Sequence, residues 1–141
     1  MSERFWFRLR SGPVDGSWAR QRVDGLDAGC TLLFLGTVRA QRGSRRVMRL
    51  EYEAYDAMLE PELRRIAAEV LAAHEVLRLA LEHSLGAVEA GAGSVALAVA
   101  SAHRRDAFAA AESMMNELKA RAPLWKREIY EDGDCWMGQG S

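Results

Sequence analysis

A chain of 141 residues, 49% hydrophobic and 28% charged, has the make-up of a folded globule able to bury roughly two-thirds of its unfolded surface, which excludes a disordered or membrane-embedded class. Its formal net charge of −1 lacks the basic excess of a nucleic-acid binder, so a bound anion has to be met by a local patch. The start MSERFWFRLR holds no apolar signal core and no apolar run reaches about 18 residues, which predicts a cytoplasmic protein without a membrane segment.

RFWFRLRSG alternates apolar and polar residues and runs into Gly-Pro, which predicts a half-buried strand and a turn. A short helix is expected over about 16–23. GCTLLFLGTVRA is a continuous apolar run between glycines, the pattern of a buried strand ending near Gly36, and AQRGSRR after it reads as a charged loop. VMRLEYEAY alternates again, as a strand pairing back across that loop. From about Asp56 to His74 the period changes. Met58, Leu63, Ile66, Ala67, Val70 and Leu71 recur at three- and four-residue spacing, a long amphipathic helix with Pro61 in its first turn.

LRLALEHSLG and GSVALAVASAH read as two strands, with turns supplied between Gly86 and Gly93. A second long helix is predicted from about Arg104 to Arg121, with Phe108, Ala111, Met115 and Leu118 as its core stripe. It stops because Pro123 disfavours helical geometry at Ala122. LWKREIYEDG returns to strand alternation, and DCWMGQGS is a Gly-rich end with a short flexible tail over about 137–141. No repeat, low-complexity tract or linker interrupts the chain. Residues 1–141 are therefore expected as one α+β domain, two main helices packed on a mostly antiparallel sheet.

Lys119 and Lys126 are the only lysines among the nineteen Lys and Arg residues, both within LKARAPLWKRE. Lys119 falls beside Met115 on the second helix, about 40° round, so its ammonium emerges at the edge of an apolar surface; Lys126 faces back from the next strand. Two lysines converging on one cleft depress each other's pKa and together bind an anion or move a proton, which arginine does not do. The plain alternative is a pair of solvated lysines. Arg39 follows Gly36, where a backbone or ligand can approach closely, and its planar fork suits a phosphate; an ordinary strand-end arginine is the other reading. His103, Arg104 and Arg105 open the second helix, where free N–H groups favour anions, although basic residues in a first turn are also common solvated surface.

His74, His83 and His103 have no metal-binding spacing, and GxGxxG, P-loop and GxSxG motifs are absent, so no metal or cofactor is expected. Cys30 and Cys135 lie far apart outside any CxxC pattern, which suits a reducing compartment.

Taken together and in this order, FLGTVR, LEYEAY, SAHRRDAF and ELKARAPLWKRE, spread over about residues 28–136, resemble the large, catalytic subunit of molybdopterin synthase, the MoaE family. The resemblance implies an α/β-hammerhead domain that forms a homodimer, with a small ubiquitin-like sulfur-carrier subunit docked on each protomer to complete a heterotetramer. It implies a sulfurtransferase of molybdenum cofactor biosynthesis. The carrier's C-terminal Gly-Gly thiocarboxylate would enter the large subunit's pocket and donate sulfur to cyclic pyranopterin monophosphate, two rounds building the dithiolene of molybdopterin.

Carried over residue by residue, the substrate contacts are Thr37, Val38 and Arg39, then His103 and Arg104, Lys119, and the run Lys126, Arg127 and Glu128. Lys119 and Lys126 are the catalytic pair: Lys119 serves the thiocarboxylate and the reacting carbon, Lys126 proton transfer or substrate charge. Arg39, His103 and Arg104 take the phosphate. Sulfur arriving as an acyl thiocarboxylate needs no cysteine of this chain. On a straight helix Arg104 and Lys119 stand about 22 Å apart, so a site holding both has to be shared across a dimer interface.

Three places depart from the family pattern. AQRGSRR lacks the Asn or His common after the VR pair, Ser84 stands where an arginine often follows His83, and the longer basic tail is absent. A tail arginine helps close the pocket in the family; here Arg42, Arg45 or Arg46 substitutes, or the pocket is more open. One rival reading is a non-catalytic phosphate- or nucleotide-binding module that uses the same Arg and Lys patch. Another is a persulfide sulfurtransferase acting through Cys30 or Cys135, but Cys30 heads an apolar strand and Cys135 has aspartates nearby that raise a thiol pKa.

Overall fold

The computed structural model describes residues 3–140. The alternating and apolar segments form β1 (Phe5–Ser11), β2 (Cys30–Thr37), β3 (Gln41–Arg42), β4 (Arg45–Ala54), β5 (Val76–Glu89), β6 (Gly93–Ser101), β7 (Leu124–Tyr130) and β8 (Cys135–Gln139). The helices are α1 (Ser17–Val23), α2 (Asp56–Ala73) and α3 (Arg104–Arg121). The strands make an eight-stranded sheet of order β2-β6-β5-β4-β7-β8, with β1 parallel to β5, β3 paired to β4, and all other pairs antiparallel. This is the expected α+β architecture.

β5 is the hinge of the sheet. Its first part lies between β6 and β1, and its last part, Gly86–Glu89, crosses to pair with β4. Gly86 takes φ +75° at the changeover, a backbone open to glycine at no steric cost. The turn expected at Gly86 is therefore a bend inside one long strand, and the chain reverses only after Glu89.

Alternation along β6 divides the core. Val95, Leu97 and Val99 join Leu79 and Leu81 against α2 and α3, while Ala96, Ala98 and Ala100 join Ala80 on the face that receives α1. Small side chains on that face let the short helix sit close. Each large apolar side chain fully buried in the first cluster contributes about 1.5–3 kcal/mol. A third cluster of Val38, Val47, Leu50, Tyr52, Val88 and Tyr130 lies under the far part of the sheet.

Several expectations are corrected. β2 is the edge of the sheet rather than a buried strand, and Leu33, Phe34 and Leu35 remain 39%, 40% and 40% exposed because one edge has no neighbour among the described residues. Only the start of β4 pairs back across the charged loop, with β3; the rest pairs with β5 and β7 rather than with β2. Leu59 rather than Met58 faces the core of α2, and Pro61 falls in its second turn because the helix begins at Asp56. On α3 the buried stripe is Ala107, Ala110, Ala111, Met114 and Leu118, leaving Phe108 60% exposed. Residues 137–139, expected in the tail, lie in β8 on the edge of β7; Ser141 lies outside the described residues.

Two contacts set the end of α3. Ala122 turns extended ahead of Pro123, and its N–H still donates to the Leu118 carbonyl at 3.0 Å. Arg121 reaches Glu62 and Glu69 of α2, at 2.8 and 2.9 Å, and Glu117 at 3.2 Å. The last turn of α3, and Lys119 with it, is thereby tied to the neighbouring helix.

Candidate active site

The end of β2, the β3–β4 hairpin, the last turn of α3 and β7 converge on a cleft of about 220 Å³. Thr37, Val38, Arg39, Lys119, Lys126 and Glu128 line it. At Gly36 an added Cβ would stand 2.6 Å from Val95 Cγ1, so a side chain there would displace Val95, which also lines the cleft. The register shifts between Gly36 and Thr37, and the chain leaves the sheet there. The Val38 N–H donates to the Ala92 carbonyl at 2.9 Å and the Gly91 N–H donates to the Val38 carbonyl at 2.7 Å, which pins the segment and leaves Arg39 exposed at the rim.

Strand alternation on β7 sends Lys126, Glu128 and Tyr130 to one face and Trp125, Arg127 and Ile129 to the other. Arg127 therefore does not enter the cleft; its guanidinium lies 3.9 Å from Glu51 on the opposite face. His103 and Arg104 are not there either. They lie beside Gly29, Cys30 and Thr31 at the other end of β2, about 23 Å away along an eight-residue strand.

Two further residues, Arg42 and Tyr52, line the cleft as well. Arg42, one of three candidate loop arginines, reaches the cleft and pairs with Glu128. Arg45 instead stacks on Tyr130 at 3.8 Å and binds Asp132 and Asp134, while Arg46 pairs with Glu131 at 3.4 Å. Tyr52 is the cross-strand partner of Lys126 and hydrogen-bonds Ser94; burial raises the pKa of its phenol. In the sequence Tyr52 stands on the apolar side of β4 and within the LEYEAY stretch, but neither marks it as a wall of this cleft.

Four cations, Arg39, Arg42, Lys119 and Lys126, thus surround one carboxylate, Glu128. Lys126 is half-buried, and its pKa is lowered below the ordinary lysine range chiefly by that burial. The charges of Lys119, Arg42 and Arg39 add to the effect and Glu128 opposes it. His83 lies fully buried against this pair, its ring meeting Tyr52 edge-on at 4.9 Å. Its Nδ1 is 2.8 Å from the Ser84 carbonyl, which only accepts, so Nδ1 carries the proton. Burial lowers the His83 pKa to about 4, and the Lys126 charge pushes the same way. The imidazole is neutral at neutral pH.

Chemically, the cleft can hold an anion among several cations and present an amine whose proton is easier to remove than that of a solvated lysine. Both cysteines lie outside it: Cys30 is half-buried at the far end of β2, and Cys135 is exposed on β8. Among the described residues no group of three or more His, Cys, Asp or Glu is placed to hold a metal ion, and no helix is long and apolar enough to cross a membrane.

Comparison with known proteins gives this geometry a family. The family described as MoaE protein matches residues 9–121. A molybdopterin synthase catalytic subunit from Oryza sativa subsp. indica is 44% identical over 126 residues, covering 89% of this chain, and this chain spans 65% of that relative's length. The molybdopterin synthase catalytic subunit of Bacillus subtilis (strain 168) is 36% identical over 132 residues, 94% of this chain and 84% of its own. The crystal structure of molybdopterin synthase from Staphylococcus aureus superposes with a TM-score of 0.82 at 28% identity, covering 96% of this chain and 95% of that one. With residues 9–121 matched and the same fold throughout, the chain belongs to the MoaE protein family.

Proposed function

We propose that the chain is the catalytic subunit of a molybdopterin synthase, a cytoplasmic sulfurtransferase that passes sulfur from the C-terminal thiocarboxylate of a small carrier subunit to cyclic pyranopterin monophosphate. The observation that carries this reading is the meeting of Lys119 and Lys126 with Arg39 in one cleft that holds neither cysteine. Such a cleft suits a reaction in which both reactants are anions and the sulfur comes from outside. The relatives' name, catalytic subunit, implies a second subunit, and a Gly-Gly end is slender enough for a cleft of about 220 Å³.

Lys119, exposed on the rim, meets the thiocarboxylate and the reacting carbon. Lys126, deeper and with a lowered pKa, moves the proton or balances substrate charge. Arg39 takes the phosphate. Thr37 and Val38 shape the entrance, and Glu128 supplies the one negative charge. The neutral His83 and the Tyr52 ring pack behind Lys126 and hold the strand that carries it.

His103 and Arg104 join the site from a second copy of the chain. The free edge of β2 is apolar through Leu33, Phe34 and Leu35, and the exposed Phe108 lies beside it. If β2 pairs antiparallel with the same strand of the second copy, the Thr37 end of one strand comes beside the Cys30 end of the other. That brings the partner's His103 and Arg104 toward the cleft and places their charges near the substrate phosphate.

The test is reconstitution. The purified chain, a thiocarboxylated carrier and cyclic pyranopterin monophosphate are combined, and the product is followed by mass. The account predicts a dithiolene-bearing pterin only when all three are present. Tight substrate binding with no product would favour the phosphate-binding module instead.

A further inference from the structure

Glu128 is an odd residue for a cleft that receives anions. Its side chain is 11% exposed and fixed in the middle of β7, where it accepts a hydrogen bond from the Tyr130 hydroxyl at 3.0 Å. An unmasked carboxylate there would repel each incoming reactant. Arg42 masks it through an Nη1 contact, yet Arg42 itself is 46% exposed and sits on a two-residue strand next to a turn made by Gly43 at φ +61°. The guanidinium also lies over the Trp136 ring, 4.4 Å from its centroid. One partner of the pair is thus anchored within a long-paired strand, and the other is half-exposed on a short hairpin against an aromatic face, which can hold a cation without a hydrogen bond.

We propose that Arg42 is an anion-binding residue of the cleft, held on Glu128 at rest and transferred to the oxyanion of an incoming reactant. A guanidinium has five N–H donors in a planar fork, which matches a phosphate or a carboxylate with two parallel hydrogen bonds. The transfer leaves Glu128 to the Tyr130 hydroxyl and to the nearby Lys126 charge, which then counts more fully in keeping Lys126 protonated. Anion arrival and the protonation of Lys126 are linked in this way. The inference rests on the cleft being the reactant site proposed above.

The shared chemistry is an oxyanion, and the two sources are a phosphate and a C-terminal carboxylate. Three probes separate them: inorganic phosphate, a short peptide ending in Gly-Gly as the free acid, and the same peptide as the amide. Affinities are measured for wild type, Glu128→Gln, the Glu128→Gln/Arg42→Gln double variant and Lys119→Gln. The Glu128→Gln background removes the masking role, so any further cost of losing Arg42 reports its own grip.

The proposal predicts tighter binding in Glu128→Gln and a loss of at least about tenfold on adding Arg42→Gln, for phosphate or for the free acid but not for the amide. A loss below about threefold for both anions overturns it. Arg42→Lys in the same background keeps the charge without the fork, and wild-type affinity there also overturns it. Trp136 fluorescence should change on saturation in wild type and be silent in Trp136→Phe. Binding that falls in Lys119→Gln but ignores Arg42 sinks this inference and spares the reading of the cleft. Absence of binding by every variant sinks both.

Discussion

Tyr52 and His83 meet edge to face, ring centroids 4.9 Å apart and planes at 82°, with Lys126 the cross-strand partner of that same tyrosine. A neutral imidazole is thus built into the support of the amine. Because His83 is fully buried, its proton affinity reports on the fold as well as on the site.

The folded-state pKa of His83, about 4, lies below its ordinary value of 6.5. As pH falls the unfolded chain takes the proton first, so stability is complete above 6.5 and is lost as pH drops toward 4. The difference corresponds to about 3 kcal/mol. Urea unfolding at pH 7 and pH 4 should show wild type losing roughly that much more than His83→Gln. Equal losses in the two proteins would remove His83 from the account.

Lys126 should titrate below the ordinary lysine range, because burial disfavours its charged form and three cations face it. Side-chain NMR of Lys126 reads this directly. Removing the Lys119 charge in Lys119→Gln should raise the Lys126 pKa, and Glu128→Gln should lower it further. A solvated-lysine titration near 10.4, unmoved by either change, would contradict the electrostatics of the cleft.

Periodicity made the elements legible but not their neighbours. The alternation of Arg49, Glu51 and Glu53 against Leu50 and Tyr52 marks β4 as a strand, yet nothing local says that it pairs with β5 and β7. β2 has the pattern of a buried strand because an apolar run reads the same whether the strand lies inside the sheet or at its edge. α3 is so rich in alanine that two stripes fit, and the structure selects the one through Met114, leaving Phe108 outside. Within the cleft, the two lysines, Gly36 and Arg39 are legible from residue type and spacing, whereas Thr37, Val38 and Glu128 enter only through the family resemblance. Arg127 is not separable from Lys126 within the run WKRE by residue type, although period-two alternation turns it away. Arg42 was indistinguishable from Arg45 and Arg46 until the hairpin aimed it.

Arg104 and Lys119 sit in the first and last turns of the same helix, about 22 Å apart, too far for one small pterin to touch both within a chain. Mixing an inactive Arg104→Ala chain with an inactive Lys119→Ala chain should restore part of the activity through hybrid dimers that contain one intact site. No recovery, with subunit exchange demonstrated, would count against a shared cleft.

Cys30→Ala, Cys135→Ala and the double variant should keep sulfur transfer within about threefold of wild type, because neither thiol reaches the cleft and in the proposed reaction the sulfur travels on the carrier. Melting temperatures separate folding effects from chemistry, since Cys30 packs against the main core. Loss of activity in a well-folded Cys135→Ala protein would point to a persulfide route instead.

The central claim is that Lys119 does chemistry that a charge alone cannot. Lys119→Arg keeps the charge at the rim and roughly the reach, so the carrier's C-terminal tail should still dock, its affinity changing by less than about tenfold. Arginine does not give up its proton near neutral pH, and its wider fork should displace the thiocarboxylate of the proposed reaction from its attacking position. The direct measurement is turnover of Lys119→Arg beside its carrier affinity, with purified thiocarboxylated carrier and cyclic substrate. The account predicts product formation reduced by at least about 10²-fold with docking preserved; near-normal turnover would contradict it.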